Sequence, residues 1–123
     1  MTILITDDIL YNRILIKEIA EKAGYTCIEA MNGKEAITII EQTPVDLLLL
    51  DIEMPVMNGL ETITYIRNHS NKKIKSMPVV ALTAHNPSLF FNDHKEAKFN
   101  NILTKPYSPE RVISMIKTYI PGQ

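Results

Sequence analysis

Hydrophobic positions along the chain fall into two alternating patterns. Short apolar runs, ILIT (3–6), TCIEA (26–30), DLLLL (46–50), PVVAL (78–82) and NILT (101–104), are bounded by polar or turn residues. They are too brief for helices and predict five strands. Between them apolar residues recur at helical spacing. Leu15, Ile16, Ile19, Ala20 and Ala23 predict a helix over 10–23, and Ala36, Ile37 and Ile40 predict one over 33–42. Asn32 with Glu35, and Asn58 with Glu61, have capping-box spacing, with Asn in place of the usual Ser or Thr. Asn86-Pro87 and Ser108-Pro109 each set a capping side chain before a proline at the first helical position, and Gly24 closes the first helix.

The pattern is a βα alternation repeated five times. Strands 1, 3 and 4 are near-continuous apolar runs, as burial on both faces of a parallel sheet requires. With right-handed crossovers the fold class is α/β, a doubly wound sandwich. Composition agrees with one such unit. The chain has 123 residues, 46% of them hydrophobic, with 13 basic and 14 acidic side chains. A formal charge of −1 points to no nucleic-acid partner and no anionic membrane surface. Cys27 is the single cysteine, so no intrachain disulfide forms, and its place in a predicted buried strand implies an inert thiol. No apolar stretch reaches membrane-spanning length, so no membrane insertion is expected. MTILITDD has no basic leader, so a cytoplasmic setting is expected.

In sheets of this class ligands bind beyond the carboxyl ends of the strands. Strand 1 ends at Asp7-Asp8, strand 3 at Asp51, strand 4 at Thr83, and strand 5 at Lys105-Pro106. Three carboxylates, a hydroxyl and an ammonium are thus expected on one rim. Carboxylates at close range resist ionising together, and a hard divalent cation removes the conflict. Mg²⁺ suits a site of a few carboxylates, waters and a phosphate oxygen. Metal, ammonium and hydroxyl together would stabilise a transferring phosphoryl group, with Asp51 as the candidate nucleophile forming an acyl phosphate. Each residue alone could be an ordinary loop or capping residue, and it is the set of four strand ends that carries the reading.

The motifs ITDD (5–8), LLLLDIEMPVMNGLE (47–61), VVALTAH (79–85) and LTKPY (103–107) closely resemble the receiver domain of two-component response regulators, over the whole chain. DIEMPVMNGLET is most similar to receivers attached to, or partnered with, hybrid sensor kinases. The resemblance implies one domain over 1–123, a flavodoxin-like (βα)5 sandwich with strand order 2-1-3-4-5. It implies that Asp51 is the phosphoacceptor, Asp8 a direct Mg²⁺ ligand, and Asp7 a ligand directly or through water. The backbone carbonyl of Glu53 completes the protein's share of the shell. Lys105 would pair with the phosphoryl group through a cis Lys105–Pro106 bond, and Thr83 would move to bond a phosphoryl oxygen. The implied donor is a phosphohistidine on a sensor kinase or phosphotransfer protein. Such a chain is a signalling switch that catalyses only its own phosphorylation and dephosphorylation. The chain is expected to be either a stand-alone receiver or a domain of a hybrid kinase or larger regulator, and Met1 just before strand 1 slightly favours the first.

Some positions depart from the family pattern. Ile102 stands where Tyr or Phe usually swings inward as the threonine moves, Lys98 where Gly is common, and Ile9 where Asn is frequent. Glu53 and His85 each lie two residues beyond a site residue, where the family tunes dephosphorylation. Phe90 and Phe91, adjacent in NPSLFFNDHKEAKF (86–99), raise the expectation of an apolar partner patch together with the last helix. His85 and His94 lack the supporting ligands of a metal site. NKKIK (71–75) reads as a solvated loop at the end of the sheet opposite the acids. Two alternatives remain. Asp51-Ile52-Glu53 mimics the Asp-x-Asp of haloacid-dehalogenase phosphatases, whose nucleophile usually lies on the first strand. A flavin or nucleotide carrier shares the fold, but Asp7-Asp8 replaces the phosphate-binding loop.

Overall fold

The computed structural model describes residues 1–84 and 98–120. Its strands are β1 (Thr2–Thr6), β2 (Thr26–Ala30), β3 (Leu47–Asp51), β4 (Val79–Thr83) and β5 (Asn101–Thr104). All four pairings are parallel, in the order β2-β1-β3-β4-β5. The described helices are α1 (Leu10–Lys22), α2 (Gly33–Gln42), α3 (Gly59–Arg67), the single turn α4 (Lys72–Lys75) and α5 (Pro109–Tyr119). The expected topology is therefore present. None of these helices is long and apolar enough to cross a membrane.

Period-two alternation splits the leucine run between the two faces of the sheet. Leu47 and Leu49 join Ile3, Ile5, Val80, Leu82 and Leu103 under α1 and α5. Leu48 and Leu50 join Leu4 and Val79 under α2 and α3, with Ala36, Ile40, Ile63 and Ile66. All four leucines are fully buried, and each contributes about 2 kcal/mol. That surplus lets the same strand end in a carboxylate that burial disfavours.

Local signals act as read. Asn58 and Glu61 form a reciprocal capping box at the start of α3. Asn32 caps α2, and Ser108 caps α5 with Pro109 at its first position. Gly24 follows α1 at φ 97°, where a side chain would be strained. Lys98 has φ 60°, the left-handed backbone that glycine adopts without strain.

Three expectations need correction. NKKIK is not a loop, because Asn71 accepts from the Lys73 and Ile74 amides and closes one helical turn. Cys27 is half-buried on the edge strand β2 and not deep in the core. Asp46 precedes β3, its carboxylate accepting from the Thr2 amide at 2.7 Å. The expectations for His85, Asn86-Pro87, Phe90, Phe91 and His94 lie outside the described residues.

Candidate functional site

Three strand ends meet on the expected rim. Asp7, Asp8 and Asp51 each offer a carboxylate oxygen within 4.8 Å of the others. Asp7 is fully buried, Asp51 nearly so, and Asp8 exposed. From beyond β5, Lys105 Nζ stands 3.5 Å from Asp51 Oδ1 and 3.7 Å from Asp7 Oδ2. Its peptide bond to Pro106 is cis. Thr83 ends β4, buried and paired with Thr104, and its carbonyl accepts from the Lys105 amide at 2.8 Å. Thus Asp7, Asp8, Asp51 and Lys105 stand in one cluster, and Thr83 is tied to Lys105 through the backbone.

Backbone geometry sets the two buried acids. The Ile9 amide donates to Asp7 Oδ1 at 2.9 Å, and the Glu53 amide to Asp51 Oδ1 at 3.2 Å. Glu53 itself is exposed, two residues along the loop. Behind Asp51 the chain turns tightly into α3. The Gly59 amide donates to the Ile52 carbonyl at 3.0 Å. A Cβ on Gly59 would stand 2.5 Å from the Asp51 carbonyl oxygen and 2.7 Å from Ile52 Cα, so only glycine fits there.

Electrostatics give the acids different characters. Burial first, then the Asp7 carboxylate, push the Asp51 pKa up to about 6, while Lys105 pulls it down. Asp7 Oδ2 is buried without a hydrogen-bond partner among the described residues, since the lysine at 3.7 Å is beyond hydrogen-bonding distance. An orphaned carboxylate oxygen and a second carboxyl that resists ionising are what a hard cation would satisfy. The all-oxygen donor set fits Mg²⁺.

Two residues of this neighbourhood are not evident from strand ends. Arg13 is buried on α1 and donates to the main-chain carbonyl of Asp7 at 2.7 Å. Its signal was a basic residue in line with the apolar stripe of Ile16 and Ala20. The Tyr107 hydroxyl is buried without a hydrogen-bond partner among the described residues. Burial, then the carboxylates of Asp7 and Asp51, push its pKa up. Ile102 is buried against Ile52 and Ala81, so the aromatic position of the family is filled by an inward aliphatic side chain.

Known proteins resemble the chain in sequence and fold. The chain is 30% identical over 119 residues to sporulation initiation phosphotransferase F of Bacillus subtilis, covering 97% of this chain and 93% of that one. It is 35% identical over 109 residues to the uncharacterized transcriptional regulatory protein YrkP of the same organism. That match covers 85% of this chain but only 45% of YrkP. The response regulator TrrA of Thermotoga maritima, solved in complex with Mg²⁺–BeF, superposes with a TM-score of 0.83 and 32% identity. The superposition covers 96% of this chain and 97% of TrrA. These likenesses support neither the phosphatase nor the flavin carrier, and Asp51 lies on the third strand, at the centre of the sheet. The family described as "response regulator receiver domain" matches residues 3–117, and the chain belongs to that family of two-component signalling proteins.

Proposed function

We propose that residues 1–123 form a receiver in which Asp51 accepts a phosphoryl group from a phosphohistidine on a sensor kinase or phosphotransfer protein. The observation that carries this reading is the packing of Asp51 against Asp7 and Asp8, with Lys105 3.5 Å away. With its pKa near 6, Asp51 is mostly ionised above pH 7 and available as a nucleophile. A carboxylate oxygen of Asp51 forms the new bond to phosphorus. The phosphorus–nitrogen bond breaks, and its electron pair stays on the donor imidazole. Asp8, Asp51 and the Glu53 carbonyl would hold Mg²⁺, with Asp7 contributing directly or through water. When bound, the ion supplies positive charge to the phosphoryl oxygens. Lys105, already beside Asp51, neutralises a further oxygen, and Thr83 donates a hydrogen bond to another. The chain acts on no other substrate and catalyses only the gain and loss of its own phosphoryl group.

Exposed apolar side chains near the rim support a protein as the donor. Ile9, Leu10, Tyr11 and Ile14 stand exposed on and before the first turns of α1, and Val56 on the loop after Asp51. A phosphorylated imidazole or a small acyl phosphate would reach Asp51 without them, but a protein bearing the histidine would cover them.

The test is intact-mass spectrometry after incubation with a small phosphodonor. Wild type should gain one phosphoryl group with Mg²⁺ and none with the ion chelated. Equal gain in both conditions would overturn the metal's role, and no gain in either would overturn the reading.

A further inference from the structure

Arg13 has a place in the site that the phosphoryl chemistry does not use. It lies on the buried stripe of α1 with 8% of its surface exposed. Its Nη1 donates to the Asp7 carbonyl at 2.7 Å, and its Nε donates to Glu29 Oε1 at 3.0 Å. Lys17 Nζ holds the other Glu29 oxygen at 3.3 Å. The guanidinium is thereby oriented from β2 and clamped on one peptide group.

That peptide is the one joining Asp7 to Asp8. Asp8 is exposed, and no hydrogen bond or ion pair to another described residue holds its carboxylate. Its position within the acidic cluster therefore rests on the backbone of the β1–α1 turn. The Asp7 amide donates to the Ala30 carbonyl at 3.2 Å at the end of β1, and two further contacts made by Asp7 fix the turn beyond it. The Asp7 carboxylate accepts from the Ile9 amide, and the Asp7 carbonyl accepts from Arg13. A hydrogen bond from a charged donor is stronger than one between neutral groups, enough to select one orientation of a turn peptide.

We infer that Arg13, oriented by Glu29, is a positioning residue that fixes the Asp7–Asp8 peptide and so holds Asp8 ready for the cation. The inference rests on the reading of the site as a Mg²⁺ site. It makes a prediction of opposite sign from simple electrostatics. Removing a positive charge near a cation site should tighten cation binding. Removing a positioning clamp should weaken it, and outer partners of this kind typically contribute about 10-fold or more to metal affinity.

The experiment is calorimetric titration of Mg²⁺ into wild type, Arg13→Gln and Arg13→Lys, with amide exchange of Ile9 followed by NMR. Arg13→Gln should bind Mg²⁺ about 10-fold more weakly despite its lost charge. Ile9 exchange should quicken, and Arg13→Lys, with one head for two acceptors, should recover only part of the affinity. A folded Arg13→Gln with unchanged or tighter Mg²⁺ binding overturns the inference and leaves the site reading intact. Wild type without Mg²⁺ affinity overturns both. Should Arg13→Gln fail to fold, Glu29→Gln keeps the guanidinium but loosens it. A smaller loss in the same direction is then expected, and unchanged affinity overturns the inference.

Discussion

Asp51 sits under opposing demands, because burial raises its pKa to about 6 while the proposed phosphoryl transfer requires its ionised form. The sign of the stability effect follows from proton binding. A carboxyl with a higher pKa folded than unfolded holds more protons in the folded state, so stability falls as pH rises between the two values. The penalty is absent below about 3.8 and complete above about 6. Asp51→Asn should therefore gain about 1–2 kcal/mol at pH 7 without divalent cations, and little at pH 4. Urea titrations at the two pH values check this, and a gain as large at pH 4 would contradict it. The Cys27 thiol behaves differently. Burial first, and Glu21 next, push its pKa from 9.0 to about 11. Alkylation at pH 8 should run roughly 100-fold slower in the folded protein than in urea. Equal rates would show a reactive thiol, against both the sequence expectation and the structure.

Element boundaries were legible where one local signal acts alone. The capping box of Asn58 and Glu61 is visible in the string, and so is the proline start of α5. The reason for Gly59 is not local. It lies in the 2.5 Å approach to the Asp51 carbonyl oxygen, which no spacing rule reveals. Gly59→Ala should cost about 2–3 kcal/mol in urea unfolding and slow phosphorylation by displacing the loop behind Asp51. An unchanged midpoint and rate would show that the loop yields freely. Arg67 is a second non-local case. From the end of α3 its Nε donates to the Lys98 carbonyl, Nη1 to the Lys75 and Met77 carbonyls, and Nη2 to Asn100 Oδ1. It thereby joins α4, the entry to β4 and the entry to β5. Arg67→Ala leaves those acceptors without their charged donor and should destabilise by about 2–4 kcal/mol, read from the urea midpoint. A loss below about 0.5 kcal/mol would mean water replaces the guanidinium.

At the scale of the molecule, the alternation of short apolar runs and amphipathic helices was enough to place four chemical groups at one end of the sheet. Parallel strands all deliver their carboxyl ends to the same rim, so Asp7, Asp8, Asp51 and Lys105 could be brought together on paper. Arg13 could not, because its role depends on how far α1 leans toward β2. Lys98 and Ile102 mark where the chain departs from its family. Lys98 adopts the left-handed backbone that glycine favours, and Ile102 packs inward with Ile52 and Ala81. An aliphatic side chain in that position offers no ring to turn and no hydroxyl to release. Under the proposed reading, phosphorylation at Asp51 therefore has to reach partners through other groups than an aromatic at that position. The most direct test of the account locates the phosphoryl group itself. Phosphorylated protein, reduced with borohydride and digested, should carry the label on the peptide containing Asp51 and on none containing Asp7, Asp8 or Glu53 alone, and Asp51→Asn should carry none. A label retained by Asp51→Asn, or found on another carboxylate in wild type, would contradict the account.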